Sequence, residues 1–168
     1  AIIGTFVIAF GFVLHIAYAI ILTLQNRKAR GKDRYASQSK TATTWASKNM
    51  FVLGVFILLF LILHLYQFWY EMQFKELFMI DGARHDGAQL VAEIFSQLWV
   101  VIVYVVAFIA LWLHLIHGFW SALHSVGWNN DTWMKRLKVA GNVISTLIIL
   151  GFIVVPIAMY LGYSNILN

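Results

Sequence analysis

Four stretches of this sequence carry no Asp, Glu, Lys or Arg and consist mostly of large apolar residues: Ala1 to Leu24, Met50 to Tyr70, Ile94 to Val126 and Val139 to Asn168. A helix needs about 20 apolar residues to cross the hydrocarbon of a bilayer, so each stretch is long enough. Inside lipid every backbone N–H and C=O must be satisfied internally, which leaves helices or a closed barrel. Barrel strands alternate apolar and polar residues over about ten positions, and these runs do not. The expectation is an all-α membrane protein, a transmembrane helix bundle with four spans at about 1–25, 48–71, 94–126 and 139–163, forming one domain over residues 1–168. The third run, at about 1.5 Å per residue, would be roughly 50 Å long and project beyond the hydrocarbon. Pro156 should kink the last span.

Composition closes off the soluble classes. Only 11% of residues are charged and 61% are hydrophobic, against about 25% and 45–50% in a soluble domain. The first run has neither a basic segment before it nor a small-residue cleavage site after it. It reads as a spanning helix of a chain that starts further upstream, and not as a signal peptide.

The charges lie between the runs and are asymmetric. Arg27, Lys28, Arg30, Lys32, Arg34, Lys40 and Lys48 fall in the first connection, and Lys135, Arg136 and Lys138 in the third, ten of the twelve basic residues. Positive connections stay on the cytoplasmic side. The second connection, with Glu71, Glu76, Asp81, Asp86 and Glu93, belongs outside. The basic residues sit at helix ends beside an anionic leaflet, which makes membrane lipid their partner and leaves no need for nucleic acid. Trp45, Trp69, Trp128, Trp133 and Tyr163 lie near span ends, as an aromatic belt would.

Chemistry has to come from histidine. The sequence has no Cys and six His, and no acidic or basic residue lies deep in a span, so an ion or proton pathway built on intramembrane charge has little to use. Five of the His, His15, His64, His114, His117 and His124, lie in or at the ends of apolar runs. His15 precedes Arg27 by as many residues as His114 precedes Val126, which puts both roughly 18 Å from comparable landmarks. His64 is about 10 Å from the opposite end. One His pair at one depth and a separate His at another suggest two metal centres stacked across the membrane. Ligation by two facing helices suits haem iron, whereas zinc or copper wants three or four ligands on one point. Gly11 and Gly118, each one turn from a proposed ligand, leave bare strips where a macrocycle could lie; equally, such glycines permit close helix packing.

The segment His114-Leu-Ile-His-Gly-Phe-Trp-Ser-Ala, the stretch Phe12-Val-Leu-His15 followed by Gln25-Asn-Arg-Lys-Ala-Arg30, and Thr44-Trp-Ala-Ser-Lys-Asn-Met50 running into Ile62-Leu-His64 resemble the cytochrome b membrane anchor of succinate dehydrogenase and fumarate reductase, in its single-chain, five-helix, two-haem, menaquinone-linked type. The resemblance covers essentially the whole chain. It implies that His15 and His114 ligate an inner haem b and His64 an outer haem b. The partner of His64 would come from the family's first helix, expected before Ala1. It also implies a flavoprotein subunit and an iron–sulfur subunit docked on the cytoplasmic side, menaquinone as the quinone, and a bacterial inner-membrane location. Electrons would pass through this subunit, while succinate or fumarate reacts in the partner. Some members carry an acidic residue two positions before the ligand that His114 matches; Trp112 stands there in this chain.

Further candidates follow. His117 is the alternative ligand on the third span. Haem propionates need cations or donors, and Trp45, Ser47, Lys48 and Ser121 are placed to supply them. His124 fits a structural or propionate-pairing role, and His85 a solvated one. Gln67 and Glu71, just beyond His64, are candidates for an outer quinone site, or else ordinary helix-end residues. Two other readings remain: a haem-b subunit of another membrane dehydrogenase, of the formate dehydrogenase or hydrogenase type, and a haem-free scaffold or transporter whose His only stabilise helix contacts.

Overall fold

A computed structural model of the chain describes residues 2–30, 45–128 and 130–167. Lys32, Arg34 and Lys40 of the first basic connection lie outside the described residues. The chain forms two compact units, Ala1–Thr44 and Trp45–Asn168. Among the described residues there are helices and no strands. Four helical stretches, Ile3–Ala29, Met50–Leu77, Leu98–Ser125 and Thr132–Gly162, are long and apolar enough to cross a membrane. The protein is an all-α, multi-pass membrane protein.

The first unit is built on one helix, α1 (Ile2–Arg30). The second opens with a single turn, α2 (Trp45–Lys48), and α3 (Met50–His64). The chain then continues without a break into a π-helical segment, π1 (Leu65–Phe74), and a last α-turn, α4 (Lys75–Leu77). A short helix α5 (Gly87–Phe95) leads to α6 (Leu98–Ser125) and α7 (Asp131–Leu167).

Three boundaries differ from the sequence expectation, each for a local reason. The second span passes its expected end near 71 because Glu71 pairs with Lys75 one turn on, at 2.6 Å, so these charges are carried on the helix. The run from Ile94 to Val126 is not one helix. Ser96 turns its hydroxyl onto the Glu93 carbonyl at 2.7 Å, a side-chain bond that competes with the helical ladder, and α6 begins afresh at Leu98. It is therefore about 42 Å long. The fourth helix begins at Asp131, so Lys135, Arg136 and Lys138 ride on α7 itself.

The helix ends are closed by specific bonds. Asp86 caps α5, its carboxylate accepting from Ala88 N–H and Gln89 N–H at 3.0 Å. At the end of α6, Trp128 N–H reaches the Leu123 carbonyl and Gly127 N–H the His124 carbonyl. That pattern needs a left-handed residue, which Gly127 (φ 89°) supplies. The same pattern ends α4, with Ile80 N–H on Lys75 O and Met79 N–H on Glu76 O. There the left-handed residue is Met79 (φ 53°), a conformation that costs a side-chain-bearing residue about 1–2 kcal/mol.

In the second unit α6 is the central helix, packing against both α7 and α3. Lipid offers no hydrophobic drive for helices to associate, so packing depends on small residues that let backbones approach. Ala107 and Ala110 of α6 are buried. A Cβ on Gly141 of α7 would run into the Phe119 ring of α6. Trp112 also faces α7, donating its indole N–H to the Thr146 hydroxyl at 3.0 Å. Toward α5, Phe95, Val100, Val101 and Tyr104 form a buried cluster, extended by Phe60, Phe68, Phe108 and Met159. A second, smaller cluster joins Ala46, Leu53 and Ala110. Pro156 is fully buried within α7.

Candidate functional site

Two polar sites lie in the apolar interior of the second unit, both along α6. The first is near the α5 end. Tyr104 of α6 is buried, with 1% of its surface exposed, and a buried phenol needs a partner for its hydroxyl. It donates to Gln67 Oε1 of π1 at 2.6 Å. The same hydroxyl lies 3.4 Å from His64 Nδ1 at the end of α3. His64 and Gln67 are one turn apart, so both reach the same group on the facing helix. Phe60, Phe68 and Phe108 enclose the cluster, Phe60 edge-on to Tyr104 at 4.8 Å.

This cluster opens toward the end of the span. Tyr66, Gln67 and Glu71 of π1 face Leu90, Glu93 and Ile94 of α5, together with Gln97, across an open cavity of about 230 Å³. The structure thus brings Gln67 and Glu71 to one wall. Neither carboxylate flanking the cavity is isolated: Glu71 pairs with Lys75 and Glu93 with Arg84. The wall is π-helical, with Lys75 N–H bonded five residues back to Tyr70 O. Tyr66, Tyr70 and Phe74 stack in succession along it at 5.5 and 5.3 Å between rings, and Phe78 follows, tilted against Phe74 at 4.5 Å. Trp69, on the same segment, has its indole N–H buried without a hydrogen-bond partner among the described residues.

The second site is nearer α2. A Cβ on Gly54 of α3 would stand 3.9 Å from His114 Cε1, so the His114 ring lies against the α3 backbone at a residue without a side chain. His117, one turn on, sets its ring edge-on to Trp120 at 4.9 Å, and Lys138 Nζ of α7 lies 4.3 Å over that Trp. His117 Nδ1 is buried and makes no hydrogen bond among the described residues. The strip expected beside Gly118 is covered by a side chain: a Cβ there would come 3.4 Å from Met50 Cε. Methionine is flexible, and this cover can yield.

The remaining candidates are placed as follows. His15 sits midway along α1, in the first unit. A Cβ on Gly11 would meet nothing within 4 Å among the described residues. Trp45, Ser47 and Lys48 lie on α2 and Ser121 on α6, two elements that pack together. The Trp45 carbonyl accepts from Asn49 Nδ2 at 2.9 Å, and the Ser121 carbonyl from Ser125 Oγ at 3.1 Å. His124 and His85 are exposed, the first in the last turn of α6 and the second in the loop before α5.

Tyr104 and Gly54 were missed by the sequence reading. A lone Tyr in the middle of an apolar helix was a usable signal, since its hydroxyl requires a partner. Tyr104 gives His64 a polar neighbour at one ring nitrogen, a contact the sequence did not signal. Among the described residues no three His, Asp or Glu side chains converge on one point.

Compared with protein-family models, with curated proteins and with solved structures, the sequence gives no match.

Proposed function

We propose that this chain is the haem-b membrane anchor of a succinate:quinone oxidoreductase, an electron-transfer subunit that is not itself the site of succinate or fumarate chemistry. The observation that carries the reading is the distribution of imidazoles along one packed unit: His64 beside Tyr104 near the α5 end, His114 against Gly54 near the α2 end, each on a separate stretch of the α3–α6 interface. Two-ligand haem iron matches such singly placed imidazoles, where a zinc or copper cage does not.

In this reading His15, His64 and His114 are axial ligands, with His117 the alternative on α6. Bound haem would supply one-electron transfer between the two faces of the membrane. The chain's own residues do the rest. The aromatic side chains around His64 exclude water, Trp45, Ser47, Lys48 and Ser121 offer donors and a cation for propionates, and Gln67 and Glu71 line an open cavity where the polar head of a menaquinone would bind. The basic side docks a flavoprotein and an iron–sulfur subunit, and the membrane is the bacterial cytoplasmic membrane.

Two observations favour a second reading. The Tyr104 contact at His64 and the Met50 cover at Gly118 are what a haem-free scaffold would show, where histidines only tie helices together. The complex purified in mild detergent separates the two. Co-purification of a flavoprotein and an iron–sulfur protein, with haem bands that appear on adding succinate, supports the anchor. Bands that respond only to formate or hydrogen assign the chain to another dehydrogenase, and a colourless preparation supports the scaffold.

A further inference from the structure

His64, Tyr104 and Gln67 share one hydroxyl proton, and where it points decides the state of the imidazole. A phenol has a single proton to give. Tyr104 gives it to Gln67 Oε1, 2.6 Å away. Toward His64 Nδ1, at 3.4 Å, the hydroxyl then presents only lone pairs. The imidazole nitrogen that faces a lone pair is the one that carries the ring proton, and the hydrogen bond made by one ring nitrogen sets the role of the other. The oxygen is fixed between the two groups: Tyr104 is fully buried, its ring held edge-on between Phe60 at 4.8 Å and Phe95 at 4.9 Å.

We propose that Gln67 and Tyr104 act in series as positioning residues for His64: Gln67 Oε1 accepts the Tyr104 O–H, the Tyr104 oxygen accepts the His64 Nδ1–H, and His64 is held with Nε2 as its lone-pair nitrogen. That is the form in which an imidazole can ligate a metal through Nε2. Removing the amide oxygen of Gln67 reverses the chain. The Tyr104 proton then turns to Nδ1, the ring proton moves to Nε2, and the ligand form is lost although neither His64 nor its nearest neighbour has changed. What Nε2 binds rests on the haem reading; the tautomer itself does not.

The test is histidine nitrogen NMR on the full chain labelled with 15N-His, purified in detergent and reduced with dithionite so that any low-spin ferrous haem is diamagnetic. The His64 resonances are identified by their loss in His64→Ala. The wild type is expected to show His64 protonated at Nδ1. Gln67→Leu should lose that pattern, either inverting to Nε2–H or releasing one haem, and Gln67→Glu, which keeps an acceptor oxygen, should restore it. Should Gln67→Leu fail to fold, Tyr104→Phe reads the same chain: with no acceptor at Nδ1, a second tautomer should appear. A wild-type His64 protonated at Nε2, or an unchanged pattern in Gln67→Leu and Tyr104→Phe, overturns the proposal. A preparation without haem bands but with the expected tautomer would remove the haem reading and leave this inference standing; haem bands with the wrong tautomer would do the reverse.

Discussion

An imidazole deep among apolar side chains costs free energy unless its nitrogens are served, and the deep histidines of the second unit are served differently. His64 has the Tyr104 hydroxyl at Nδ1, whereas His117 buries an Nδ1 that makes no hydrogen bond among the described residues. If His64 and His114 belong to two centres, each should be removable alone. His64→Ala and His114→Ala are each expected to lose one of two low-spin haem signals in electron paramagnetic resonance and to keep the other. His117→Ala should retain both, with at most a shifted potential, since a neighbour that only packs beside a ligand acts on it indirectly. Loss of both signals in either single variant would mean that the two histidines serve one site. At this scale the sequence exposed the histidines, because an imidazole in an apolar run stands out. It did not expose what they touch. Tyr104 and Gln67 are brought to His64 by the register between α3 and α6, which no local pattern encodes.

At the scale of elements, the spans were legible because bilayer thickness sets a length and apolarity that a sequence cannot disguise. Their ends were less so. Ser96 breaks a run that looked continuous, and Glu71 with Lys75 continues one that looked finished. The π-helical winding of Leu65–Phe74 had no sequence signal, although such winding is frequent at functional positions. Packing between α6 and α7 turns on Gly141, whose missing side chain makes room for the Phe119 ring. Gly141→Ala should therefore destabilise the protein by about 1–3 kcal/mol, as overpacking does. In a Phe119→Ala background the same change should cost almost nothing. A double-mutant cycle on thermal unfolding in detergent measures the coupling, and additive effects would show that the ring is not what excludes a side chain at 141.

For the whole molecule, the charge pattern yields an expectation of which way the spans run. Basic connections favour the cytoplasmic side, so the first and third connections are expected there and α5 with the loop before it on the far side. A cysteine at Ser125, in the last turn of α6, should react with a membrane-impermeant maleimide only in inverted vesicles, and one at Asp81 only in intact cells. The opposite labelling would exchange the inner and outer positions given to His114 and His64. Composition thus made the membrane class readable from the sequence, because it depends on sums over many residues. The cavity beside Gln67 was not readable, because it depends on where α5 lies against π1. Whether these helices hold haem is read from a reduced-minus-oxidised visible spectrum of the purified full-length protein with haem quantified per chain. The expected result is b-type bands and two haems per chain; a protein that folds, inserts and carries no haem would overturn the haem reading.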